Sequence, residues 1–463
     1  MKKISALLIA VVMIMAMSTT AFAADNTYTG SGNDNADNFA GLSANPQTIP
    51  LTKGIVFFNA NGSDVYEPNV TFNYVVSPAS IAADGSDATV TDNQSPAVQR
   101  NVYPGPTGGV TGTTISFSAS NAIKGTAADG AEVEETGNLG LVISEFDKPG
   151  IYRYIITESV TAPATGSTDS ENLQAAGLAA RDSAYDNTRY LDVYIHYVDD
   201  DSDPTTPEVL QMYGAVIFKT TESSGDEGED DITTTTKKTT GFEPNPTADG
   251  SITYANDPNV DKYYTYDFTV KKTVSGSMAD KTHNFPFYVS ISNTITGAKY
   301  TYFDDPGTGS GAAETIAAAA INKGSDSSSS TLKLKDGEYV KFVGVPSNQT
   351  TELAVVVMEF NDTYDQYTAT VTAVSTTKPT IAKTNGSDGS TGVMTASTGS
   401  IETASFAVKT NDTAGQIITV NNDLTEISPT GVVLRIAPYA LMLGAGVVLL
   451  VLSRRRKNRA EEA

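Results

Sequence analysis

Phe146-Asp147-Lys148-Pro149-Gly150-Ile151-Tyr152-Arg153-Tyr154-Ile155-Ile156-Thr157-Glu158 reads as a turn followed by a strand. Proline has a fixed φ and no N–H for a ladder, and glycine takes conformations closed to other residues, so Lys-Pro-Gly punctuates the chain. Beyond it Tyr152, Tyr154 and Ile156 fall on one face of a strand, and Glu158 falls in line with them. Working outward, segments 48–258 and 263–424 each open and close with alternating patterns rich in Thr, Val, Tyr and Ile. Clusters of Gly, Asp, Asn and Ser separate them. Many short strands with turn signals and almost no long 3.6-residue period predict an all-β chain of two tandem Ig-like β-sandwich domains. Short helical inserts are expected at Glu171 to Arg181 and at Glu314 to Ile321. The polar tracts Ser223 to Thr240, Ser325 to Ser330 and Thr376 to Ser400 read as loops, because they carry too little apolar surface to order themselves.

Both ends carry targeting signals. Lys2-Lys3, the apolar run Ile4 to Met17 and Ala21-Phe22-Ala23 are the charged, apolar and small-x-small parts of a secretory signal peptide, residues 1–23. Cleavage is expected between Ala23 and Ala24, and residues 24–47, rich in Asn, Gly, Ser and Asp, read as a flexible leader. The C-terminal unit is 425–463. There Ile427-Ser428-Pro429-Thr430-Gly431 precedes a mostly apolar stretch, 432–452, long enough to cross a hydrocarbon core, and a basic tail, 453–463, suited to the cytoplasmic side. This order resembles the cell-wall sorting signal of sortase substrates, with Ile427 where that family usually has Leu and Ser428 where it has Pro. The resemblance implies cleavage between Thr430 and Gly431 and transfer of the Thr430 carboxyl to an amine of peptidoglycan or of another subunit. A plain membrane anchor is the alternative for the same residues.

The chain of 463 residues has no Cys and no Trp, and 54 acidic against 30 basic residues give a net charge of −24. Without both processed ends about 400 residues remain, enough for two or three domains with real cores. Disulfides and thiolate metal sites are excluded, so covalent reinforcement needs other chemistry. The negative charge repels nucleic acid and anionic lipid. Asp199-x-Asp201-x-Asp203 lacks the following Gly and the acidic twelfth position of a calcium loop, and the run Asp226 to Asp231 reads as a solvated loop. No metal or cofactor is assigned. The two histidines, His196 and His283, lie in no nucleophile or metal motif, which argues against a secreted hydrolase.

Six polar residues fall on the apolar faces of their strands, where burial without partners is costly. Lys53 shares a face with Ile49, Leu51, Ile55 and Phe57; Glu158 follows Tyr152, Tyr154 and Ile156; Asn256 follows Ile252 and Tyr254. The second domain repeats the set: Lys272 with Phe268, Val270 and Val274, Glu359 after Val355 and Val357, Asn422 after Ile418 and Val420. This order of Lys, Glu and Asn, with the turn and Tyr-rich strand quoted above and with Phe268 to Gly276 and Leu334 to Pro346, resembles the intramolecular isopeptide domains of Gram-positive major pilins. The resemblance implies an amide between Lys53 and Asn256 and another between Lys272 and Asn422, each releasing ammonia, with Glu158 and Glu359 as the catalytic acids. Asn245 is the other choice in the first domain, and Asn421 neighbours Asn422 in the second. In an apolar core lysine tends to lose its proton and glutamate to keep its own, which makes a nucleophile and an acid of them.

The function so implied is that of a structural surface protein, a sortase-assembled pilus backbone subunit or wall-anchored stalk. Its partners would be sortase and other pilin subunits or peptidoglycan joined through Thr430. Self-crosslinking happens once per molecule, so the chain is not expected to be a turnover enzyme. The alternative is a cell-surface adhesin, anchored as a monomer, that displays a site for a host or bacterial surface ligand in its long loops. Val102-Tyr103-Pro104-Gly105 resembles the pilin box with Gly105 where its lysine would stand, so Lys219, Lys237 and Lys238 are the candidate acceptors for Thr430.

Overall fold

The computed structural model describes residues 48–58, 64–86, 88–91, 99–124, 130–162, 166–198, 209–222, 234–244, 252–304, 311–324, 332–346, 353–359, 367–374, 401–402, 406–408, 416–425 and scattered residues between 442 and 451. The signal peptide, the leader, Asn245, both acidic candidates for calcium and residues 427–431 lie outside them. Among the described residues no helix is long and apolar enough to cross a membrane, and most of the apolar stretch at 432–452 lies outside them.

The first domain runs through β1 (Thr48–Phe58), β2 (Asp64–Tyr66), β3 (Val70–Pro78), β4 (Thr89–Thr91), β5 (Gln99–Pro104), β6 (Val110–Thr111), β7 (Thr113–Phe117), β8 (Ala122–Lys124), β9 (Ala131–Leu141) and β10 (Gly150–Ala162). It continues with helix α1 (Asp169–Ala175), then β11 (Thr188–Val198), β12 (Val209–Glu222), β13 (Thr234–Lys238) and β14 (Gly241–Phe242). One sheet has the order β13-β12-β11-β10-β3-β7, with β5 also on β10; against it pack β6, β9, β1 and β14. Ile49, Leu51, Ile55 and Phe57 from one side meet Phe72, Tyr74, Tyr154 and Ile156 from the other, giving the sandwich expected from their alternation.

The second domain holds β15 (Lys262–Ser275), β16 (Phe285–Ser292), β17 (Lys299–Phe303), β18 (Ala312–Thr315), β19 (Ala320–Gly324), β20 (Lys333–Leu334), β21 (Tyr339–Pro346), β22 (Leu353–Glu359), β23 (Thr368–Val374), β24 (Ile401–Glu402), β25 (Phe406–Val408) and β26 (Gln416–Asp423). A sheet β19-β16-β22-β24 faces β18-β17-β21-β15, with β26 on the free side of β15. Phe268, Phe342, Phe287 and Val355 are fully buried between them. The fold is therefore all-β, with two sandwiches in tandem.

The strand β15 belongs to both. Its first residues run parallel to the end of β1, Val56 to Lys262 and Phe57 to Tyr263, before it continues into the second sandwich. Tyr263 lies in the core of the first domain, edge-on to Phe57 at 5.1 Å between ring centres. The Leu178–Tyr263 bridge and the bond from Asn69 Nδ2 to the Gly297 carbonyl (3.0 Å) tie the joint further.

Three local expectations are corrected. The tract Ser223 to Thr240, read as a loop, contains β13, where Thr234–Lys238 pair antiparallel with the end of β12. The first helical insert is present but shorter, closed by a capping box in which Thr168 and Glu171 satisfy each other's backbone N–H groups. The second is absent: Glu314 lies in β18, paired with β17 across Tyr300 and Tyr302, and Ile321 lies in β19, paired with β16 across Ile291.

Candidate functional sites: two buried lysine clusters

In the second domain the expected trio comes together. Lys272 points from β15 into the core, Glu359 ends β22 in the opposing sheet, and Asn422 lies on β26, parallel to β15. All three are buried, with Lys272 wholly so. Lys272 Nζ donates to Glu359 Oε2 at 2.9 Å, and Asn422 Nδ2 donates to Glu359 Oε1 at 2.5 Å. The Phe285 ring covers the lysine at 4.3 Å. Burial pushes the Lys272 amine down against the pull of Glu359, and pushes the Glu359 carboxyl up against Lys272 and Asn422. Both shifts favour the neutral pair, an amine beside a carboxylic acid. Asn422 Oδ1 is buried without a partner. A half-turn of that amide presents Oδ1 to Glu359, whose acid proton would then polarise the carbonyl. Asn421, the neighbour, instead bonds to Thr273 and Ser275 on the other face.

The first domain is built differently. Lys53, again fully buried, donates to Asp261 Oδ2 at 2.7 Å and to the Tyr185 hydroxyl at 2.9 Å, and lies 3.3 Å from Glu158 Oε2. Glu158 also accepts from the hydroxyls of Tyr74 (2.7 Å) and Tyr185 (2.6 Å). Arg181, just past α1, grips Asp261 through Nε (2.9 Å) and Nη2 (2.8 Å), and its Nη2 also donates to Glu158. Two cations thus balance two carboxylates. Burial alone would raise Asp261; Lys53 and then Arg181 outweigh it and hold its carboxyl well below the usual range.

Asn256 takes no part. It is exposed in a turn, where its Oδ1 accepts from Thr253 N (2.6 Å) and Thr253 Oγ1 (3.1 Å). The residues Ile252, Tyr254 and Asn256 do not form the closing strand that their alternation suggested; they cap a turn, the other common use of Asn. The register of the sheet identifies what stands in its stead. Lys272 faces Val420, and Asn422 comes two residues later. On the short strand β14, Lys53 faces Phe242, and two residues later stands Pro244, which has no reactive side chain. The next parallel neighbour of β1 is β15, with Val56 facing Lys262. Carried back, that register sets Lys53 opposite Asn259 and Asp261 two residues on. Asp261 is the topological counterpart of Asn422.

Sequence reading missed Asp261, Arg181, Tyr185 and Tyr74. Asp261 alternates with Tyr263 and Thr265 on one face, a usable signal, but Asp257-Pro258-Asn259 reads as linker and hid it.

Of the candidate acceptors, Lys219, Lys237 and Lys238 pair with one another's strands midway along the first sandwich. Gly105 admits no side chain, since an added Cβ would lie 2.1 Å from the Tyr154 ring. Among the described residues no group of three His, Cys, Asp or Glu is placed to hold a metal.

Residues 266–406 match a family model described as a domain of unknown function, DUF7601. No curated protein matches. The chain is similar to solved pilins. Against the major pilin of Streptococcus pyogenes the identity is 18% and the TM-score 0.40, covering 83% of this chain and 100% of that one. Against the T3.2 major pilin of the same organism the values are 16% and 0.37, with 82% and 100% covered. A pilus-presented adhesin, Cpa, is 10% identical with a TM-score of 0.22, covering 81% and 100%.

Proposed function

We propose that the chain is a structural surface subunit, a sortase-assembled pilus backbone or wall-anchored stalk, whose domains are locked by internal amides. The observation that carries this reading is the buried, mutually bonded set of Lys272, Glu359 and Asn422. The neutral Lys272 amine attacks Asn422 Cγ, Glu359 relays the amine's proton to Nδ2, and the bond from Cγ to Nδ2 breaks to release ammonia. In the first domain Lys53 passes a proton to Glu158 and its Nζ attacks Asp261 Cγ. The bond from Cγ to one Asp261 oxygen breaks, and that oxygen leaves as water with the proton held by Glu158 and a second one from Nζ. There the bidentate Arg181 takes the part of the acid, stabilising the negative charge that develops on the Asp261 oxygens. Each reaction runs once per molecule.

The intact mass of the mature chain tests this. A deficit of one ammonia plus one water against the sequence is expected. A deficit of ammonia alone would leave the first domain open, and no deficit sinks the reading. Thr430 supplies the outward linkage, to wall or to another subunit, which covalent multimers in wall extracts would reveal.

A further inference from the structure

The two ends of the molecule are set by the direction of three strands. β1 runs toward the joint, β15 continues parallel to it, and β26 runs parallel to β15 and ends at Asp423 beside Ser275. Thr48 therefore marks one pole and Asp423 the other. The strand contour between them is about 70 Å at about 3.3 Å per residue. Thr430 follows Asp423 by seven residues in sequence, a reach of at most about 25 Å from the second pole. A subunit linked through Thr430 to a copy of itself makes an end-to-end filament, each copy adding its full length, when the acceptor amine stands at the first pole, because a head-to-tail contact that does not close propagates.

The lysines of the first domain divide cleanly on this criterion. Lys53 is buried in its cluster. Lys124 pairs with Asp64, beyond the end of β1 at the joint. Lys219, Lys237 and Lys238 lie midway. Lys148 alone is at the pole: β9 reaches it where Gly140 faces Thr48, and β10 leaves it at Gly150. Lys148 is exposed. Its ammonium stands 4.4 Å over the Tyr103 ring, and its carbonyl accepts from the Tyr152 hydroxyl at 2.7 Å, which fixes the backbone beneath it. Beside it opens a cleft of about 190 Å³ whose apolar wall is Tyr103, Pro106, Phe146 and Tyr152, with Glu145 and Asp147 also lining it. Such a cleft takes one or two apolar side chains, and the donor segment offers Ile427 and Pro429.

We propose that Lys148 is the amine that receives Thr430 of a second copy, with the segment before Thr430 seated in this cleft. The inference rests on the sortase-assembled reading above. A sortase-class transpeptidase breaks the Thr430–Gly431 peptide bond; the Thr430 carbonyl carbon bonds to Lys148 Nζ; a proton from Nζ passes to the released amino group of Gly431. One amide replaces another, so no oxidant or energy source is needed.

The test is the full chain in its own cell wall, as wild type, Lys148→Arg and the triple variant Lys219→Arg, Lys237→Arg, Lys238→Arg. Expected is a ladder of multimers from the wild type and the triple variant, a single wall-linked species from Lys148→Arg, and a branched peptide joining Thr430 to Lys148 by tandem mass spectrometry. Unchanged secretion and unchanged internal mass deficit in Lys148→Arg show that it folds. A ladder that persists in Lys148→Arg, or a branch mapped to another lysine, overturns the proposal. A wild type that is wall-linked but never multimeric overturns the pilus reading itself, and the acceptor with it.

Discussion

Under the proposed function, Glu359 and Asp261 are the residues at which the two domains differ most sharply. Glu359→Ala is expected to leave Lys272 and Asn422 unjoined, so that the mass deficit against the variant's own sequence shrinks by one ammonia. The lost bond closes a loop of more than one hundred residues, so by loop entropy the second domain should lose about 5 kcal/mol, read as a lower melting temperature. At Asp261 the isosteric change is more telling than truncation. A Lys–Asp amide formed with loss of water and a Lys–Asn amide formed with loss of ammonia are the same molecule. Asp261→Asn and wild type should therefore have identical masses when both have reacted, and different masses if neither has. Asp261→Ala, by contrast, strands Lys53 and Arg181 over one carboxylate, and about 3 to 5 kcal/mol of stability should go with it. Asn256→Ala, on its exposed turn, should leave the mass deficit against its own sequence unchanged and cost only about 1 kcal/mol for the lost turn cap.

Among the elements, β9 bears a liability beside β1. Burial first, then Glu134 and Glu243, push the Glu132 carboxyl from the ordinary 4.5 up to about 7. Tyr254 donates to its Oε2 at 3.1 Å while its Oε1 is buried without a partner. Between about 4.5 and about 7 the folded chain holds a proton that the unfolded chain has released, so this group makes stability fall as pH rises through that window. Glu132→Gln should flatten the pH dependence of the melting temperature and raise it at pH 8; an unchanged profile would contradict the shift. The strands themselves were legible because alternation is a property of the segment alone: Tyr152, Tyr154 and Glu158, or Phe268, Val270 and Lys272, declare their shared face in sequence. The complete trio of the second domain was legible for the same reason. Asn256 misled because a turn with two apolar residues at alternate positions looks like a strand in sequence. Glu314 to Ile321 misled because its alanines suit a helix, while its two ends pair with Tyr300 on β17 and with Ile291 on β16. Arg181 could not be found from pattern, since it reaches the cluster from a loop after α1 with no periodicity to reveal it.

At the scale of the whole molecule the two sandwiches are not separable at the apparent linker. Asp261 and Tyr263 complete the core of the first domain, though they stand at the start of the second domain's opening strand. A fragment of residues 48–258 should melt well below one of 48–266, by circular dichroism. Equal stability would mean that the joint contributes nothing. If the pole geometry is right, length per subunit in a filament is fixed by β1 and β15 in series, and the joint between them transmits load through paired backbone.

The sharing of β15 also bears on biogenesis. If the chain is exported, as the proposed surface role requires, it emerges from its N-terminus in order, and a domain closes only when its last strand is out. Here that strand belongs to the following unit. The first sandwich must wait, open along the side of β1, until residues past Tyr263 have crossed, and only then does Lys53 meet Asp261. Under the proposed function, joining of Lys53 to Asp261 is thereby deferred until the chain beyond Tyr263 has been delivered.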